Sequence, residues 1–206
     1  MTAPTIAELV LGGHPEAWRA AGFTVDDEGR VVVGTVTFSV RPDLGSGLER
    51  WVLRGDVPTS IDGLSTRAAP HTDLPDTVVH PNHIVAIDHL VVLTQDLDRT
   101  IDALAEVGLE LRRVREGPAG DGRQVKQAFF RMAEVILEVV ATTSGAADRA
   151  YFWGITFLSD DLDATLAYLG PDRVSEARPA VQPGRRIATL RQNVELGLPG
   201  VAVMSG

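Results

Sequence analysis

"IDHLVVLTQDLD", residues 87–98, joins an apolar run holding one histidine to an Asp-Leu-Asp that opens the next segment. The run reads as a strand. Asp96 stands where a helix N-cap accepts backbone N–H groups, and Leu97, Ile101 and Leu104 follow at helical spacing on one face. The same order recurs further on. "FWGITFL" precedes "DLDATLAYLG" (161–170), which matches "DLDRTIDALA" (96–105) at Asp, Leu, Asp, Thr and the later Leu. Gly108 and Gly170 fall where each helix would end.

Three strand candidates follow the first helix, at 109–116, 123–132 and 134–140, with a Gly/Asp loop over 117–122. The second copy offers 173–178, 185–192 and 200–205. Each unit is therefore β-α-β-β-β. A third, shorter copy begins the chain: "AELVLGG" (7–13), a helix in "PEAWRAAGFTV" (15–25), then "RVVVG" (30–34) and "TVTFSV" (35–40). "LERWVLRGD" (48–56) opens a worn fourth copy lacking much of its helix, and residues 66–82 serve partly as linker before "VVHPNHIVAI" (78–87). The expectation is an α+β fold of repeated βαβββ modules. Residues 1–85 form a degenerate pair and 86–206 a complete pair, made of 87–141 and 150–206.

Composition narrows the function. Of 206 residues 44% are hydrophobic, and net charge is −9, which disfavours a general nucleic-acid partner because phosphate binding needs a basic surface. The absence of cysteine excludes disulfides, thiolate metal sites and a cysteine nucleophile, and fits a cytoplasmic setting. "MTAPTIAELVLGGHPEAW" has no basic n-region, so it does not read as a signal peptide, and no apolar run reaches the ~20 residues that span a bilayer. No GxGxxG after a strand, no P-loop and no GxSxG elbow occurs.

Paired βαβββ modules with a first strand "IDHLVV" and a fourth strand "VILEVV" resemble the glyoxalase / vicinal-oxygen-chelate superfamily, which includes glyoxalase I, extradiol dioxygenases and bleomycin-resistance proteins. The resemblance implies curved sheets set side by side as a cup, with helices on the outer surfaces. It also implies that each module can give the cup one metal ligand from its first strand and one from its fourth. His89 and Glu138 occupy those positions. Strand alternation independently sets Val135, Leu137 and Val139 on one face and Ile136 and Glu138 on the other. Together they would suit one divalent metal, Zn, Fe, Mn or Ni, acting as Lewis acid. The second module counts against this. Gly154 lies opposite His89, and Val203 or Met204 opposite Glu138, whereas a catalytic site usually has about three protein ligands. The N-terminal copy sets Glu8 opposite His89 and Ser39 opposite Glu138.

Other residues complete a candidate pocket. Arg185 and Arg186 follow Gly184, adjacent strand residues face oppositely, and Arg186 is taken as the inward one, able to grip a carboxylate or phosphate. Phe129 and Phe130 likewise point apart; Phe130, with Trp153, is taken as an apolar wall, and Arg131, Gln127 and Gln182 as polar contacts. His80 and His83, in "VHPNH" (79–83), belong to a turn. Two functions remain. One is a metal-free binder of a small, acidic molecule, acting as monomer or homodimer. The other is a lyase, isomerase or dioxygenase-type enzyme using His89 and Glu138, with a third ligand from elsewhere or from a second subunit.

Overall fold

Two sheets on one plan, packed back to back, organise the chain. The computed structural model describes residues 3–70, 73–118, 124–142, 148–191 and 195–206. His71 and most of the expected 117–122 loop lie outside them. The first sheet is built from β1 (Thr5–Gly12), β2 (Arg30–Val33), β3 (Val36–Arg41), β4 (Gly47–Arg54), β5 (Ser60–Ile61) and β6 (Leu64–Ala68), with α1 (Pro15–Ala20) between β1 and β2. Its order is β2-β3-β1-β4-β6-β5.

The second sheet opens with β7 (Ile84–Thr94), α2 (Leu97–Glu106), β8 (Leu111–Pro118), β9 (Gln124–Met132) and β10 (Val135–Ala141). It continues with β11 (Tyr151–Ser159), α3 (Leu162–Leu169), β12 (Arg178–Pro179), β13 (Arg186–Thr189) and β14 (Gly200–Ser205), in the order β12-β13-β14-β11-β7-β10-β9-β8. The fold is α+β, as expected. The strand expected over 173–178 shrinks to β12 and one bridge between Val174 and Leu190. Pro179 has no N–H to donate, which confines that segment to the sheet edge.

The two sheets correspond strand for strand. In each, the first strand pairs in parallel with the last of its module (β1 with β3, β7 with β10) and antiparallel with the first strand of the next (β4, β11). Even the bulges recur. In β7, Ile87 and His89 face consecutive residues Phe157 and Thr156, leaving Asp88 as an extra residue; in β1, Ile6 and Glu8 face Leu53 and Val52, leaving Ala7. Trp153 in β11 and Glu49 in β4 are extra in the same sense. The first sheet lacks only counterparts of β8 and β12, the outermost strands of the second.

The back-to-back contact is aromatic. Trp18, Phe23 and Phe38 of the first half meet Phe157 of β11, with Phe23–Phe157 centroids 5.3 Å apart, and Trp51 stands edge-on to Phe152. Trp18 is fully buried, and its indole N–H reaches the Leu196 carbonyl at 3.2 Å. One continuous apolar core therefore serves both sheets. Expected helices on the outer surfaces are only part of the cover: the first sheet lies against the second sheet's helix-side face, leaving the His89 face outward.

Two hydroxyl pairs fasten the helices of the second half to loops of the first. Asp96 and Asp161 are the N-caps, accepting from the N–H of Arg99 and Ala164. Beneath them Thr100 Oγ1 meets Thr94 Oγ1 at 2.8 Å, and Thr165 Oγ1 meets Ser159 Oγ at 2.7 Å. Thr100 also donates to the Asp62 carboxylate at 2.5 Å and Thr165 to the Asn82 carbonyl at 2.7 Å. Asn82, with no exposed surface, donates to the Ala21 carbonyl at 2.8 Å and accepts from the Ile84 N–H at 3.1 Å. His80 is buried, accepting from the Thr24 N–H at 3.1 Å and donating to the Val32 carbonyl at 2.8 Å. Those partners require a neutral ring, and burial pushes its pKa below the ordinary 6.5.

Asn82→Ala orphans a buried carbonyl and a buried N–H, so we expect a loss of about 3 kcal/mol in urea unfolding. A Tm lower by roughly 6–12 °C should accompany it; a change within error would show that these bonds do not hold the halves together. His80 has a depressed folded pKa, so its contribution is complete above the unfolded value of 6.5 and declines as pH falls below it. Melts from pH 7.5 to 5.5 should show a steeper loss in the wild type than in His80→Asn, and parallel curves would refute the assignment.

Candidate functional site

The bulge at Asp88 builds the site. Regular alternation would send Asp88 to the face opposite His89, but an extra residue re-aims the bulged pair. Both side chains consequently lie on the open face. Asp88 Oδ2 is 2.9 Å from His89 Nδ1, and Asp88 Oδ1 accepts from Arg185 Nη1 at 2.8 Å. Burial alone would raise the Asp88 carboxyl; the hydrogen bond and charge of His89, then those of Arg185, outweigh it and hold the pKa below its ordinary value.

An ionised Asp88 can only accept, which places a proton on His89 Nδ1 and turns Nε2 toward Glu138. That atom lies 2.9 Å from Thr156 Oγ1 and 3.4 Å from Glu138 Oε2. Gln127 Nε2 donates to the other Glu138 oxygen at 2.5 Å. Arg185, Asp88, His89, Glu138 and Gln127 thus form one line across the sheet, the His89 and Glu138 side chains 18% and 13% exposed. At its centre the line holds an imidazole and a carboxylate side by side, each oriented by its neighbours.

Above them lies a cleft of about 630 Å³. Its floor is His89, Glu138, Ile136, Ile187 and Met204. One wall comes from β8 and β9, with Arg112, Arg113, Arg115, Phe129 and Arg131; the other runs from Arg178 through Gln182. Each wall includes an outermost strand, β8 or β12, which the first sheet lacks. Among the described residues Arg115 and Arg178 have no carboxylate partner, Arg113 lies over the Phe129 ring at 5.1 Å, and Arg131 Nε donates to the Ala133 carbonyl at 2.6 Å.

Several expected residues change place. Arg186 is not the inward arginine: it is exposed and bonded to Asp163 of α3 at 2.8 Å. The reason is parity, since Ala188 is in the core and Ile187 faces the cleft, so Arg185 shares the cleft face. Phe130 borders the cleft but pairs with core residue Leu137 and is only 1% exposed, whereas Phe129 pairs with Glu138 and faces the cleft. Trp153 is the extra residue of its bulge, and its ring covers Gly200 outside the cleft. Arg131 and Gln182 do line it. The Glu138 counterpart in β14 is Ala202, not Val203 or Met204, because Val91 faces Glu138 as Thr156 faces Ala202. Glu8 and Ser39 bond each other on the far side of the first sheet, away from His89.

The donors do not make a complete metal site by themselves. No group of three His, Cys, Asp or Glu side chains able to hold a metal occurs among the described residues. The second module cannot supply one at its matching positions: a Cβ on Gly154 would lie 2.4 Å from the Gly200 carbonyl oxygen. A catalytic metal usually takes about three protein ligands. Protein soaked in excess Zn²⁺, Mn²⁺ or Ni²⁺ and desalted should retain well below one metal per chain, unchanged in His89→Ala. Stoichiometric metal lost in that variant would mean that a further donor completes the site.

Comparison with known proteins places this geometry. The sequence profile described as Glyoxalase/Bleomycin resistance protein/Dioxygenase superfamily matches residues 86–192. No curated protein matches. Among solved structures, methylmalonyl-CoA epimerase from Mycobacterium tuberculosis is similar at 16% identity and a TM-score of 0.48, over 60% of this chain and 89% of that one. The Streptomyces coelicolor methylmalonyl-CoA epimerase in complex with 2-nitronate-propionyl-CoA is similar at 21% identity and a TM-score of 0.46, over 60% and 98%. A hypothetical protein from Bacillus halodurans C-125 gives 15%, 0.46, 58% and 93%. No helix among the described residues is long and apolar enough to cross a membrane. With its profile match spanning more than half its length, the chain belongs to the Glyoxalase/Bleomycin resistance protein/Dioxygenase superfamily.

Proposed function

We propose that the protein binds a small anionic molecule in the cleft of the second sheet, over a floor that exchanges a proton with it without a resident metal. The observation that carries this reading is charge placement. In a chain of net charge −9, five arginines line one cleft, and four of them have no carboxylate partner among the described residues. Guanidinium groups without carboxylate partners around a largely apolar floor suit carboxylate or phosphate. His89 and Glu138 then face the bound molecule as the pair that exchanges a proton with it, and Asp88 and Arg185 keep the imidazole in register. Residues 1–85 act as the scaffold behind the cup.

A thermal-shift panel of organic acids, organic phosphates and their neutral amides or alcohols tests the reading. Anions should raise Tm, less so at high salt, and neutral analogues should not. For a ligand so identified, Glu138→Gln should leave binding intact while lowering exchange of the ligand's acidic hydrogen with solvent by about 100-fold or more. Stabilisation by neutral compounds alone would overturn the anion assignment, and undiminished exchange in Glu138→Gln would remove that carboxylate from the chemistry.

A further inference from the structure

The two walls of the cleft differ in origin, and each brings its own cation. β8 and β12 are the opposite edges of the eight-stranded sheet, so residues on them meet only because the sheet curls over its own floor. On the β8 edge, Arg113 pairs with Phe129 and Arg115 with Gln127, which puts both arginines on the face that carries Glu138. On the β12 edge, Arg178 pairs with Ile187, which pairs with Met204 of the floor. Between the two edges the floor offers Ile136, Ile187 and Met204, with the His89–Glu138 pair among them.

From this layout we infer that the ligand carries two anionic groups, one for Arg113 and Arg115 on the β8 wall and one for Arg178 on the β12 wall. A short carbon segment between them lies over the apolar floor, within reach of His89 and Glu138. The inference rests on the anion-binding reading above and narrows it to a substrate class: dicarboxylates and phosphonate- or phosphate-bearing carboxylates. A monoanion satisfies one wall and leaves the other arginine in water. A dianion spanning both engages two charge-assisted contacts with a single loss of translational freedom, which favours it over either half.

The test is calorimetric binding of a graded series, malonate to pimelate together with phosphonoacetate and 3-phosphonopropionate, each beside its monoacid or monoester. At least one dianion should bind roughly 10- to 100-fold tighter than its monoanionic partner. Arg178→Gln, and separately the double variant Arg113→Gln/Arg115→Gln, should each bring that dianion down to the monoanion's affinity. The monoanion itself should be lost in only one of the two. Melting curves of the variants check that the fold is retained; Arg113 and Arg178 are exposed and Arg115 is half-buried. Equal affinity for dianions and monoanions, or a dianion preference that survives both substitutions, overturns the two-wall assignment and leaves simple anion binding standing. Absence of binding by any anion overturns both readings.

Discussion

The burial of the second sheet's hidden face against the first is the contact on which the molecule depends. A curved sheet with a polar concavity on one side must cover its other side, and α2 and α3 are short: ten and eight residues. The ring cluster of Trp18, Phe23, Phe38 and Phe157 supplies the missing cover. Aromatic side chains remove large apolar areas from water per residue, so a few of them suffice to join two sheets. The hydroxyl and Asn82 bonds then fix how the sheets sit, because each buried donor or acceptor is costly if left unmet.

The two halves differ at their edges. Both keep the same six central strands and share two bulges. Only the second keeps β8 and β12, and only those strands rise far enough at the edges to enclose a volume. Glu8, Ser39, Arg50 and Arg67 stand in the first sheet where His89, Glu138, Gly154 and Ala202 stand in the second. Of that set Arg67 is exposed and Glu8, Ser39 and Arg50 are half-buried, with Ser39 donating to Glu8.

Much of the fold was legible in the sequence. Asp96 and Asp161 announce their helices, the 65-residue spacing announces the repeat, and alternation in 134–140 aims Glu138. Phe129 was also readable, since it shares parity with Gln127 and Arg131. What was hidden depends on pairing between distant strands. A bulge is a mismatch between two strands, so nothing local to Asp88 marks it, and no local pattern decides between Arg185 and Arg186. Nor does composition reveal that the first sheet would lie behind the second, because both have one apolar face.

The surplus residue at 88 carries a constraint of its own. Ile87 belongs to the core and His89 to the cleft, although two residues apart in a regular strand they would share a side. A chain shortened by one residue there would have to invert either everything before the histidine or everything after it, exposing isoleucine or interring the imidazole. Length at this point is therefore as fixed as chemistry: a side chain can be exchanged here, but a residue cannot be removed without turning one half of the strand over.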